Sequence, residues 1–227
     1  MRSRHPLAVL AAIAAAVAIA ACGGGGHPSN GVASKSASAI LARTRTALSS
    51  AKSVHVAGSI KTSTLAIGLD LTLASGRGGQ GQMTLNGRTV EIKTIGKVAY
   101  FNASPAFWKQ YAGAAAARFL HGNWLKMPTS TTAFASVIAL TNMHELFESF
   151  LGSGNPVVVK GKTTTIGGRS AIGVVNAASG GTLYVATTGR PLPVAFVRTG
   201  GHLVFDRYNA HVSLKPPSHT FSILNLK

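Results

Sequence analysis

Hydrophobic positions recur with two different periods along this chain, and the change from one to the other marks its elements. Between residues 37 and 51 apolar side chains fall at Ala37, Ile40, Leu41, Ala47, Leu48 and Ala51. That spacing predicts an amphipathic helix with Lys35, Arg43, Arg45 and Lys52 mostly off its buried face. The period then drops to two. Val54, Val56 and Ile60 alternate with small or polar residues, and Leu65, Ile67, Leu69, Leu71 and Leu73 alternate with Ala66, Gly68, Asp70 and Thr72. This is the pattern of half-buried strands. A glycine-rich turn follows, then a strand over 82–85, an Asn86-Gly87 hairpin turn, and strands over 89–95 and 97–102. Links this short join antiparallel strands.

The helical period returns over 104–120, with Pro105 at an early position where its missing N–H costs little. A short strand carrying Trp124 is expected over 123–127. One or two further helices are expected over 132–151, with Phe134, Ile138, Leu146, Phe147, Phe150 and Leu151 as buried positions. Strand patterns then run to the end, over 157–160, 163–166, 170–176, 182–186, 194–199, 202–208 and 221–224. Gly167-Gly168, Gly180-Gly181, Thr188-Gly189 and Gly200-Gly201 separate them. Strands, a helical insert, then more strands predict an α+β fold. Their regular spacing predicts one large curved antiparallel sheet, an incomplete β-barrel, curled over a few helices.

The N-terminus does not belong to this pattern. Arg2 and Arg4 precede an uncharged apolar run over 7–21, shorter than the ~20 residues of a spanning helix. The run ends in Ile19-Ala20-Ala21-Cys22, which reads as a signal peptide over 1–21 closed by a lipobox. Cys22 is the chain's one cysteine. A lone thiol in an exported protein has no disulfide partner, and its place after small residues fits acylation. Lipidation of Cys22 would anchor the chain to the extracytoplasmic face of the cell membrane. The Gly/Ser-rich stretch up to residue 32 reads as a flexible tether. A single domain is then expected over 33–227, and no second cysteine is present to staple it.

The formal charge of +17 falls by two once Arg2 and Arg4 are removed. Such a balance points to anionic surroundings, either lipid head groups or acidic wall polymers. The basic residues stand singly, without a dense run, and the expected location is outside the cytoplasm, so nucleic acid is excluded as a partner.

Motifs for chemistry are poor. Gly76-Arg77-Gly78-Gly79-Gln80-Gly81 fits G-x-G-x-x-G literally, but a strand and not a helix follows it. It reads as a flexible hairpin loop and no cofactor is expected. His144-Glu145-Leu146-Phe147-Glu148 resembles half of a zinc-binding helix, with Glu148 where a second histidine would stand. A solvated helix face explains it better than a metal site. The five carboxylates are Asp70, Glu91, Glu145, Glu148 and Asp206. Asp70 and Glu91 are placed to meet across strands, on the polar side of their alternation, and Asp206 sits beside Arg207. No G-x-S-x-G occurs. A non-enzyme is expected.

Several segments together resemble the LppX/LprG-type actinobacterial lipoproteins, which belong to the LolA-like group of lipid carriers. They are the lipobox, the tether, the opening helix, Ser53-Val54-His55-Val56, and Lys97-Val98-Ala99-Tyr100-Phe101 ahead of Phe107-Trp108. Gly122-Asn123-Trp124-Leu125, Gly167-Gly168-Arg169-Ser170-Ala171, Thr182-Leu183-Tyr184-Val185 and Gly189-Arg190-Pro191-Leu192-Pro193 complete the set. The resemblance covers nearly the whole mature chain. It implies a half-barrel whose apolar cavity, between sheet and helices, accepts the acyl chains of lipids or lipoglycans. Only Cys22 transfers from the family as a functional residue.

Candidate cavity-lining residues on the sheet are Leu65, Ile67, Leu69, Leu71, Leu73, Met83, Leu85, Val90, Ile92 and Phe101, with Phe134, Ile138 and Phe147 on the helices. Arg88, Lys93 and Lys97 are candidates for drawing acidic head groups to its mouth. A monomer is expected. The competing reading is a protein-interaction or sensor lipoprotein whose barrel is filled by its own side chains.

Overall fold

Helix α1 (Ala37–Ser49) begins where the Ser36 side chain accepts a hydrogen bond from the Ala39 amide, the N-cap arrangement that satisfies one of a helix's orphan donors. The computed structural model describes residues 28–61, 66–152, 156–177 and 180–223. Cys22 and Leu65 lie outside the described residues. The segment read as tether is already fastened from Ser29, which bridges to Thr188. Asn30 donates to the Ala186 and Gly189 carbonyls, both at 3.0 Å, and Val32 is fully buried.

Strands β1 (Ser53–Lys61), β2 (Ala66–Ala74), β3 (Gly78–Leu85), β4 (Arg88–Ile95), β5 (Val98–Ala103) and β6 (Trp124–Pro128) form one meander. A second comprises β7 (Val158–Ile166), β8 (Arg169–Asn176), β9 (Thr182–Ala186), β10 (Pro193–Arg198) and β11 (Gly201–Asp206). The two join where β1 pairs with β11, from His55 opposite Asp206 to Ile60 opposite Gly201. With the short β12 (Thr220–Ser222) they make a single open sheet in the order β12-β6-β5-β4-β3-β2-β1-β11-β10-β9-β8-β7. Its two edges stay apart, so the barrel is incomplete, and four α-helices lie among the described residues. The fold is α+β, a large curved sheet curled over helices.

The sheet departs from the sequence-based expectation at three places. The tail strand β12 pairs with β6 in parallel, not antiparallel. The stretch from residue 206 to 220 is long enough to cross to the far edge and arrive in either direction. Second, β7 is one strand with a register shift between Lys160 and Thr163 where two were expected, a bulge that bends an edge.

Third, the glycine run is not a loop. Only 75–77 turn, and Gly78, Gly79 and Gly81 lie within β3. A Cβ on Gly79 would stand 2.6 Å from Leu73 Cδ2 and 3.0 Å from the Thr141 carbonyl, and one on Gly81 (φ +149°) 2.1 Å from the Asp70 carbonyl. These glycines permit close approach of neighbouring segments. By contrast Asn86 and Gly87 both have positive φ, 47° and 79°, as a type I′ hairpin turn needs.

Helices α3 (Ala135–Ala139) and α4 (Met143–Leu151) cross the concave face, and a chain of hydroxyls ties their junction to the sheet. Gly79 N–H donates to Thr94 Oγ1 (2.9 Å), Thr94 to Thr141 Oγ1 (2.9 Å), and Thr141 to the Ile138 carbonyl (2.6 Å). Thr94 and Thr141 are both buried. Thr94→Val keeps the shape but strands the Gly79 amide. It is expected to cost about 1–3 kcal/mol in a urea titration, the penalty for an unpaired buried donor.

Burial pushes the Tyr208 hydroxyl well above the usual phenol range. Arg169 opposes the shift and Asp206 adds to it, and the group donates to the Pro193 carbonyl at 3.0 Å. The folded chain therefore holds this proton more tightly than the unfolded one. The stabilisation is complete below the free-tyrosine value of about 10 and is lost as pH rises through the folded value. Thermal melts of Tyr208→Phe should show a shallower alkaline decline than the parent chain.

Candidate functional site

The concave face of the sheet is covered in two unlike ways. Over β1, β2 and β8–β11 it is solid. Leu71, Leu73, Leu203 and Phe205 are essentially inaccessible, and α4 caps them with Phe147 and Phe150, whose ring centroids lie 5.0 and 5.9 Å from that of Phe205. Phe150 also stacks on Phe196 at 4.5 Å.

Over β3–β6 the packing leaves an apolar pocket of ≈500 Å³. Met83 and Leu85 from β3, Val90 from β4, Phe101 from β5 and Leu125 from β6 make its floor. They share a face because Met83 pairs with Val90 and Phe101 with Leu125 across the ladder.

Its cover is helix α2 (Pro105–Phe119), which contributes Phe107, Trp108, Tyr111, Ala112 and Ala116, with Leu120 following. Ala133, Phe134 and Val137 close one side and Ile223 from the tail another. The Phe101 and Phe134 rings meet at 5.1 Å across the pocket wall. The space exists because α2 is thin where it faces the sheet. Residues 112 and 114–117 are all alanine, and Gly113 between them is non-helical (φ 87°, ψ 170°), so the helix breaks there. Trp108 is 2% exposed, and its indole N–H has no hydrogen-bond partner among the described residues.

Five of the thirteen candidates therefore line this pocket: Met83, Leu85, Val90, Phe101 and Phe134. Ile67 and Leu69 are register partners of Leu85 and Met83 but lie one strand outside it. Leu71, Leu73 and Ile92 belong to solid core. Ile138 faces a separate, more polar hollow of ≈350 Å³ with Arg77, Asn142 and Glu145, and Phe147 one of ≈240 Å³ between α1 and α4. Among the possible headgroup cations, Lys93 stands on the opposite face of the sheet, 5.7 Å from the Trp124 ring centroid.

The polar residues are spent differently from the expectation. Asp70 and Glu91 do not meet, because the β3 residue Gln82 pairs with both and lies between them. Asp70 and Asp206 instead flank His55, whose Nε2 lies 2.9 Å from Asp70 and whose Nδ1 lies 2.7 Å from Asp206. His55 is 8% exposed, and Arg207 stands 3.5 Å from Asp206. Glu148 pairs with Arg45 at 3.4 Å, and Glu145 accepts from Asn142, the α4 N-cap, at 2.8 Å.

An open, mostly antiparallel sheet curled around helices, with an apolar pocket beneath the cover, makes a half-barrel. The chain shares this fold with a mycobacterial protein of known structure. It is similar to the crystal structure of LprF from Mycobacterium bovis, with 15% sequence identity and a TM-score of 0.52 over 85% of this chain and 99% of that one. Lipoprotein LppX from Mycobacterium tuberculosis aligns with 16% identity and a TM-score of 0.49 over 79% of this chain and 98% of that one. No protein-family model matches the sequence. No curated protein matches it either.

Proposed function

We propose that the chain is a non-enzymatic lipoprotein, held by acylated Cys22 on the extracytoplasmic face of the cell membrane, that binds or carries an acylated lipid or lipoglycan. Residues 1–21 are then a removed signal peptide, and a tether from Cys22 to about Ser29 lets a single domain stand off the bilayer. Within the described residues no helix is long and apolar enough to cross a membrane; in this reading the acyl groups on Cys22 supply the attachment.

The observation that carries this reading is the pocket between the concave sheet and α2, walled by Met83, Leu85, Val90, Phe101, Phe107 and Leu125. A methylene takes somewhat less than the ~30 Å³ share of a liquid water, so ≈500 Å³ accommodates on the order of one acyl chain. Each methylene moved from water into it contributes ~0.8 kcal/mol. Transfer then needs no bond chemistry, only partition between bilayer and pocket.

The test is titration of a Cys22→Ser chain with cis-parinaric acid, a fluorescent fatty acid. Saturable, stoichiometric uptake that palmitate displaces is the expected result. Fluorescence that never saturates, or that palmitate leaves unchanged, would contradict the reading.

A further inference from the structure

The convex face of the sheet carries a second feature, separate from the apolar pocket. Between β2 and β6 lies an open groove of ≈350 Å³. Its walls are Asp70, Gln80, Gln82, Glu91 and Lys93, and Trp124 closes one end. The ladder builds it: Asp70 pairs with Gln82, Gln82 with Glu91, and Gln80 with Lys93. One-in-two alternation sends all of these away from the buried row of Leu71, Met83 and Ile92.

We propose that this groove binds a neutral polyhydroxylated ligand, a stretch of glycan chain, against the indole of Trp124. Three observations select that chemistry. The side chains of Gln80, Gln82 and Glu91 and the Trp124 indole N–H make no hydrogen bond among the described residues. The groove thus presents unspent donors and acceptors of the kinds that hydroxyl groups match. Trp124 is half-buried on a solvent face and is steadied by Lys93, whose Nζ lies 5.7 Å from its ring centroid. A ring fixed in this way offers an apolar flat to the C–H face of a sugar while its N–H reaches a hydroxyl. Charge decides the rest. In a chain of net charge +17 the groove holds two carboxylates against one ammonium, so it disfavours the polyanions that the rest of the surface attracts. A cationic ligand would have to displace Lys93 from the indole.

The test uses the full-length chain in detergent micelles over biosensor surfaces bearing a neutral glucan, mannan or galactan, with a sulfated glucan as charge control. At least one neutral glycan should bind saturably and keep its affinity at high salt, where exposed charges are screened. Trp124→Ala, and separately Gln80→Ala with Gln82→Ala, should weaken that binding at least about tenfold, as truncation of an anchoring side chain does. Uptake of cis-parinaric acid by the same substitutions in the detergent-free Cys22→Ser chain should stay unchanged, which separates this site from the pocket and reports an intact fold. If Trp124→Ala disturbs that uptake, the exposed Gln82→Ala decides alone. Binding to the sulfated glucan only, no glycan binding, or variants that bind like the parent chain would each overturn the proposal.

Discussion

Phe205→Ala is expected to destabilise the chain by about 3–5 kcal/mol, the range for deleting a buried aromatic ring. Phe205 is fully buried on β11 and pairs with Val56 across the seam that joins the two meanders. Its ring also meets Phe147 and Phe150 of α4, so one side chain links the sheet seam to the helical cover. The cavity left by alanine cannot close by small shifts, because Leu71, Leu203 and Phe147 are themselves inaccessible and Phe150 is already stacked on Phe196. Interiors packed to crystal density relax only partly. Urea unfolding measures the loss, and Phe205→Leu should recover much of it. A loss below about 1 kcal/mol would be an ordinary surface-like effect and would place the core elsewhere.

The second large effect is functional. Ala116→Trp puts an indole into the pocket from the thin side of α2, where Ala116 is half-buried. The pocket already holds empty apolar space, so the new ring fills volume and displaces little packing. The stability change should stay within about 1.5 kcal/mol, as for substitutions that do not overpack a core. Binding of cis-parinaric acid should fall at least about tenfold, which is 1.4 kcal/mol or more. The pairing of small stability change with large binding loss is the informative result. Unaltered binding in a chain with an intact melt would show that the fatty acid sits elsewhere.

The architecture was legible because its strands alternate cleanly. Leu69, Leu71 and Leu73 against Gly68, Asp70 and Thr72 give face and register at once, and the Asn86-Gly87 turn fixes the hairpin that follows. The pocket was only half legible. Alternation identifies which side chains face inward, and it found Met83, Leu85, Val90 and Phe101. It does not say which inward residues are covered by a bulky helix and which by a thin one. That depends on α4 bringing phenylalanines over Phe205 and on α2 bringing alanines over β3–β6. A signal did exist in the run of alanines around Gly113, following Phe107, Trp108 and Tyr111. It marks a helix with little to fill the space beneath it.

The glycine run misled for a related reason. Read locally it is a flexible loop, whereas Gly79 and Gly81 are small because Thr141 and the β2 backbone press against them. The grouping of His55, Asp70 and Asp206 depends on β1 and β11 pairing across some 150 positions of sequence, a register that local pattern does not encode.

In the proposed function the pocket over β3–β6 holds lipid in the cell. Mass spectrometry of organic extracts from Cys22→Ser chain, secreted without its own acyl groups and purified without detergent, measures this directly. The expected result is acylated lipid at a substantial molar fraction of the protein, reduced to background in the Ala116→Trp chain. A clean extract at sensitivity well below one lipid per chain, or equal lipid from both chains, would contradict it.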